Sequence, residues 1–270
     1  MTSIALLVNA AKSRAAELAS RVRTLASSLN LSVKEDPAAA EAIVVLGGDG
    51  TLLSAVRRYG AGKPIVGLNA GSLGYLTCVE ERQFADILRS LADGTFRVSR
   101  RRTLAGRVLG PDGGVRRELP VALNDITIAR GHSARALKLA LSFDGHPVAA
   151  YLCDGIVFAT PTGSTAYALS AGGPVVLPGI EATVMAVISP HSLAARPLVY
   201  PDKVVAAIER SGCDVPWLVS ADGQEDIELG EGERVEIFAG ALEVPLVVAP
   251  DYDPLAVLRL KLGWSLRHPI

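Results

Sequence analysis

The sequence predicts an α/β domain followed by an all-β domain, with a helix near the end of the chain. Three observations carry that prediction. Over residues 1–98, short β-branched runs alternate with stretches whose apolar residues recur at helical spacing, the pattern of a parallel sheet flanked by helices. Over residues 99–250 short apolar runs between turn residues take over, as in a sandwich or a folded sheet. Residues 251–270 return to a helical pattern. No low-complexity linker separates the halves, so they are expected to pack rigidly.

The elements follow in order. Ile4 to Val8 reads as the first strand, and Ala15, Leu18, Ala19, Val22, Leu25, Ala26 and Leu29 as an amphipathic helix with Arg21 and Arg23 outside. Ala42-Ile43-Val44-Val45-Leu46 is short and β-branched enough for a buried parallel strand. Gly47-Gly48-Asp49-Gly50-Thr51 then turns into a helix over Leu52–Arg58 that closes at Gly60. Pro64–Leu68 is a further strand, and the glycine-bearing loop Asn69-Ala70-Gly71-Ser72-Leu73-Gly74-Tyr75-Leu76-Thr77 leaves its C-terminal end. Phe84, Ile87, Leu88 and Leu91 mark a helix stopped at Asp93-Gly94. Both glycine loops fall beyond strand C-termini, where α/β sheets bind ligands.

In the second half, Leu104–Leu109 with Val115–Leu119, and Leu137–Phe143 with Pro147–Leu152, read as hairpins. Runs at Ala182–Ile188, Val204–Ile208, Trp217–Val219, Arg234–Phe238 and Val244–Val248 continue the β pattern. In the tail, Asp253 suits an N-cap, Pro254 the first turn and Gly263 the stop. That helix is expected to pack back on the first domain.

Composition excludes several functions. At 270 residues, 49% apolar and a net charge of -1, there is ample core and no basic footprint for nucleic acid. Cys78, Cys153 and Cys213 are scattered without a CxxC pair, and the four histidines do not cluster, which argues against a disulfide framework or zinc cage. The first residues lack a basic n-region, and no apolar run approaches the roughly 18 residues of a membrane span. A cytoplasmic protein with no membrane partner is expected.

The chemistry concentrates in a few segments. Strand, glycine turn and helix N-terminus form an anion-binding corner with free N–H groups. Asp49 is the odd member, because a carboxylate repels phosphate unless a cation lies between them or the acid takes a proton in the reaction. Taken alone, the motif reads rather as a tight turn whose Asp49 caps the helix. Asp154-Gly155, followed by Thr160-Pro161-Thr162-Gly163-Ser164-Thr165-Ala166-Tyr167, offers hydroxyls and backbone donors without bulk. Asn124-Asp125 interrupts an apolar strand and needs partners if buried, although a strand-end pair satisfied by backbone reads as well. Arg100-Arg101-Arg102 could face phosphates but reads rather as a solvated strand entry, His191 as structural, and Trp217 and Trp264 as core or interface. A Walker lysine and a full G-x-G-x-x-G are absent.

Taken together, Gly47–Thr51, Asn69–Thr77, Leu123-Asn124-Asp125, Asp154-Gly155 with Thr160–Tyr167, Ala195-Arg196-Pro197-Leu198, Asp222-Gly223-Gln224 and Lys261-Leu262-Gly263-Trp264 stand in the order of a known family. Across nearly its whole length the chain resembles an NAD kinase. The resemblance implies a Rossmann-like, 6-phosphofructokinase-like first domain, a β-rich NAD-binding domain and a site between them. It implies phosphoryl transfer from ATP, with a divalent metal such as Mg2+ whose ligands it does not name, to the adenosine 2′-hydroxyl of NAD. Asp49 would be the general base, and Gly47, Gly48, Gly50 and Thr51 the phosphate corner. Asp49, Gly50, Tyr75, Asn124, Asp125, Arg135, Asp154, Thr162, Thr165, Ala166, Tyr167 and Gln224 would contact NAD, Arg135 at the pyrophosphate. A homo-oligomer, dimer or tetramer, is expected as well. Three positions depart from the family's usual residues: Asp125 where glutamate is common, Leu152 where bacterial members often carry a basic residue, and Tyr75 for phenylalanine. The rival readings are a lipid or sugar kinase sharing the glycine-aspartate corner, and a non-catalytic dinucleotide sensor.

Overall fold

The structure, a computed structural model, describes residues 1–59, 62–69, 74–132, 134–212 and 215–264. The expected helix stop Gly60, the loop residues Ala70, Gly71, Ser72 and Leu73, and Cys213 lie outside the described residues. The chain forms two compact units: Met1–Arg100 together with the segment from Val244, and Arg101–Glu243.

The first unit runs β1 (Ser3–Val8), α1 (Ser13–Ser28), β2 (Ser32–Lys34), β3 (Ala42–Gly47), α2 (Asp49–Tyr59), β4 (Ile65–Asn69), α3 (Phe84–Asp93) and β5 (Arg97–Arg101). β3 is buried at every position because it is central in a parallel sheet, with β1 on one side and β4 on the other. Leu18 and Val22 of α1 and Phe84, Ile87, Leu88 and Leu91 of α3 pack into one core with Ile4, Val44 and Leu46. Each such side chain contributes about 1.5–3 kcal/mol by leaving water. α3 stops where predicted, with Gly94 in the left-handed region at φ 70.

The second unit is built from β6 (Leu104–Leu109), β7 (Val115–Glu118), β8 (Asp125–Arg130), β9 (Leu137–Phe143), β10 (His146–Cys153), β11 (Gly155–Ala159), α4 (Tyr167–Ser170), β12 (Ala182–Ile188), β13 (Leu198–Pro201), β14 (Ala206–Arg210), β15 (Trp217–Ala221), β16 (Asp226–Leu229) and β17 (Arg234–Ala239). Two six-stranded sheets result, ordered β10-β9-β14-β17-β6-β7 and β13-β12-β11-β8-β15-β16. Val108, Leu141 and Ile237 of one sheet meet Ile128, Phe158 and Trp217 of the other in a single core, which makes the unit a sandwich. The β9–β10 hairpin turns on Asp144 and Gly145 at φ 47 and 79, the primed geometry that Asp-Gly favours.

The chain closes with β18 (Val244–Val248) and α5 (Pro254–Leu262). The β pattern of the sequence puts Val244–Val248 in the second half, but β18 lies in the first unit's sheet, ordered β2-β1-β3-β4-β18-β5 and parallel to β4. Its run Val-Pro-Leu-Val-Val, without polar alternation, suits a strand covered on both faces. α5 carries its predicted caps: the Asp253 carboxylate accepts the Leu255 N–H at 2.9 Å, and Gly263 sits at φ 67. Arg101 corrects another expectation. It is 3% exposed rather than solvated, because β5 carries it into the interior while Arg102 pairs with Glu181 and Asp202. Trp217 is fully buried and Trp264 half-exposed. Among the described residues, no helix is long and apolar enough to cross a membrane.

Candidate functional site

In the first unit β3 ends at Gly47, where a Cβ would stand 2.7 Å from the Thr51 hydroxyl oxygen. Glycine is what lets strand and helix close so tightly. Asn9 Nδ2 donates to that same hydroxyl at 3.1 Å, and Lys12 Nζ lies 3.4 Å from where a Cβ of Gly48 would be. Asp49 opens α2, but among the described residues its donors lie outside its own helix. Oδ1 accepts from the Leu76 N–H (3.2 Å), the Thr77 N–H (2.9 Å) and the Thr77 hydroxyl (2.9 Å), and Oδ2 from the Tyr75 N–H (2.9 Å). The turn therefore does not use Asp49 as a helix cap; it aims the carboxylate at the second glycine loop. Gly74 is required there, since a Cβ would overlap both Asp49 Oδ1 and the Thr77 hydroxyl. Burial, then the Asp49 charge, pushes the Tyr75 hydroxyl up, and Lys261 in the last turn of α5 places its ammonium 6.0 Å over the Tyr75 ring.

In the second unit, Asn124, Asp125, Thr127, Ala129, Arg130, Ala166, Tyr167, Leu218, Ser220, Asp222, Gly223 and Asp226 line a cavity of about 450 Å³. The segment Leu123–Asp125, ahead of and into β8, is held from two directions. Asp222 accepts the N–H of Leu123 (2.9 Å), Asn124 (2.7 Å) and Asp125 (3.1 Å). From the other side the Thr160 hydroxyl donates to the Leu123 carbonyl at 2.7 Å and the Thr160 N–H to the Asn124 carbonyl at 2.9 Å. Gly163 packs so close that a Cβ would overlap the Asn124 carbonyl. The threonine-glycine stretch thus shapes the Asn124 turn, and the backbone polar groups there are fully used.

Asp125 is 6% exposed. Burial, and after it the Asp222 charge, pushes its carboxyl up to about 7, with the Thr127 hydroxyl opposing. Near neutral pH the group therefore exchanges between a carboxylate that only accepts hydrogen bonds and a carboxyl that also donates one. Arg130, at the far end of β8 and also lining the cavity, meets Asp154 through its Nε at 2.9 Å.

Of the predicted NAD contacts in this unit, Asn124, Asp125, Ala166 and Tyr167 line the cavity, whereas Arg135, Asp154, Thr162, Thr165 and Gln224 do not. Asp154 reaches it through Arg130, and the Thr165 hydroxyl is spent on the Thr162 carbonyl at 3.1 Å. Gln224 and Arg135 are exposed on loops. The sequence places Asp222 in a family motif but gives it no site role, and it carries no signal for Arg130 or Lys12. Among the described residues no three His, Cys, Asp or Glu side chains converge to cage a metal.

Residues 7–96 match the family model of the ATP-NAD kinase N-terminal domain, and residues 123–249 that of the ATP-NAD kinase C-terminal domain. The NAD kinase of Syntrophotalea carbinolica is 39% identical over 232 residues, 86% of this chain and 81% of that one. The chain belongs to the NAD kinase family. Membership makes it a phosphotransferase acting on NAD. The yeast NADH kinase complexed with NADH has the same fold, at TM-score 0.86 and 22% identity over 100% of this chain and 89% of that one. An NAD kinase from Archaeoglobus fulgidus in complex with ATP superposes at TM-score 0.79, 26% identical over 97% of this chain and 98% of that one.

Proposed function

We propose that the chain transfers the γ-phosphoryl group of ATP to the adenosine 2′-hydroxyl of NAD, with Asp49 taking the hydroxyl proton. The observation that carries the base assignment is how the Asp49 carboxylate is held. Three donors meet Oδ1 and one meets Oδ2, and an ionised carboxylate has about four lone-pair sites, two on each oxygen. Among the described residues Oδ2 takes a single donor while the other three share Oδ1, so Oδ2 has a site for an incoming hydroxyl, on an atom already fixed in direction. Gly50 supports the same reading. A Cβ there would meet nothing within 4 Å, so the fold does not demand glycine at a helical position where it costs about 1 kcal/mol against alanine. Close approach of a ligand is a sufficient reason for it.

Phosphoryl transfer depends on positioning and charge stabilisation more than on covalent chemistry. The N–H groups at the start of α2 would face phosphate oxygens, with Lys12 beside them. Mg2+ keeps several waters and is held largely by substrate phosphates, which fits a corner without a cage of acids among the described residues; there it would neutralise charge on the transferred group. Asn124, Asp125, Ala166 and Tyr167 would hold the adenosine part of NAD.

The test is NADP formation from NAD, ATP and Mg2+ by the folded protein, wild type and Asp49→Asn. Asp49→Asn is expected to bind NAD but to lose roughly 10²–10⁴ in kcat, the usual contribution of a general base. Wild-type turnover in that variant removes Asp49 from the base role, and an active fold that yields no NADP removes the reaction.

A further inference from the structure

We propose that Asp222 is a positioning residue for NAD: its carboxylate fixes the turn that presents Asn124 and Asp125 to the cavity. The proposal rests on the assignment of Asn124 and Asp125 to NAD made above. Three consecutive amides, Leu123, Asn124 and Asp125, converge on the two oxygens of Asp222 at 2.7–3.1 Å. In return the Asp222 N–H donates to the Asp125 carbonyl at 2.8 Å. Successive N–H groups gathered on one anion fix the direction of the backbone that carries them, and here two of the three residues carry the side chains that face the cavity.

A simpler account is available. Asp222 and Gly223 stand at φ 52 and 60, and the Gln224 N–H closes the turn on the Ala221 carbonyl at 3.1 Å. Asp-Gly is a favoured pair for such a primed turn, so Asp222 could be there only to bend the chain. Asn-Gly serves that turn equally well. Asparagine, however, offers a single oxygen where three amides engage two, and it turns an N–H toward an N–H. Asp222→Asn therefore keeps the bend and removes the grip.

The experiment compares wild type, Asp222→Asn and Asn124→Ala with NAD varied at saturating ATP, and follows the KM for NAD against pH. Asp222→Asn is expected to raise that KM about tenfold or more with kcat within about threefold, the signature of lost ground-state binding. Asn124→Ala should do the same. The pH readout addresses what a mere turn former would not move. Asp125 shares its surroundings with Asp222 from the turn, Asp226 from β16, Tyr167 from α4, and Thr127 and the Asp154-paired Arg130 from its own strand. Because the Asp222 charge helps to push Asp125 up to about 7, the break in KM against pH should move to lower pH in Asp222→Asn.

An unchanged KM in Asp222→Asn beside a raised one in Asn124→Ala overturns the positioning role and leaves the NAD assignment standing. Unchanged values in both overturn both. A rise in Asp222→Asn alone, or a rise with an unmoved break, also overturns it, since Asp222 would then act by another route. Should Asp222→Asn melt far below wild type, Asp222→Glu retains two oxygens. An NAD KM within about threefold of wild type in that variant supports the proposal, and one at the Asn124→Ala level overturns it.

Discussion

Each of the two units contains an aspartate that gathers three consecutive backbone amides, and the two arrangements work in opposite senses. In the α/β unit Asp49 is the residue held, by the amides of residues 75–77 with the Thr77 hydroxyl as a fourth donor. In the β-rich unit Asp222 does the holding, and the residues it holds carry the side chains that face the cavity. The first arrangement spends a loop to aim one acid. The second spends one acid to aim a loop. The same three-amide motif thus says little about which partner is functional; what each side leaves exposed decides it.

The largest effect expected from breaking this comparison comes from the acid that is held close to another. The folded Asp125 carboxyl, at about 7, stands well above its ordinary 3.8. Below that lower value both folded and unfolded states are protonated and nothing is lost. As pH rises from about 4 to 7 the unfolded chain releases its proton first, so stability falls, and above 7 the full cost remains. Roughly three pK units correspond to a cost on the order of 4 kcal/mol. Asp125→Asn should therefore gain in melting temperature over wild type progressively across that window and no further above it; a gain that does not vary with pH would contradict the buried pair.

Gly74→Ala comes next. The new Cβ would occupy the place of Asp49 Oδ1, so kcat should fall about 100-fold or more while the KM for NAD changes little, as for a group needed only in the transition state. Gly163→Ala should do the reverse. It presses on the Asn124 carbonyl, costing about 1–3 kcal/mol of stability by overpacking and raising the KM for NAD, as denaturant melts and initial rates would reveal. The smallest effect is at Gly50, where alanine has open space. Gly50→Ala should stabilise the fold by up to about 1 kcal/mol yet lower kcat/KM; a variant both more stable and fully active would remove the case for close ligand approach.

Local signals were legible in the sequence wherever a residue acts on its near neighbours. Asp253, Pro254 and Gly263 bound α5, and Asp144-Gly145 turns a hairpin, because caps and turns are decided within a few residues. What could not be seen is set by distance along the chain. Asp49 reaches amides 26 to 28 residues away, and Asp222 amides 97 to 99 residues away. Nothing in Val244–Val248 distinguishes a strand of a sandwich from one completing a parallel sheet, since both are apolar runs of the same length. Arg101 reads as solvated because its neighbours are basic, and only the sheet carries it inside. Asn124-Asp125 was read as a polar break in a strand. In the structure the break is the strand's beginning, and the strand-end account and the functional one describe the same residues.

β18 sits between β4 and β5 in the first sheet, although the whole β-rich unit lies between β5 and β18 in the chain. A chain made from its N-terminus must therefore leave the β4 edge uncovered until Val244–Val248 emerge, while Arg101–Glu243, contiguous in sequence, can fold as it appears. Domains generally fold as units during synthesis, and unpaired strand edges are open to aggregation meanwhile. The half of the molecule that is synthesised first is thus the half that finishes folding last.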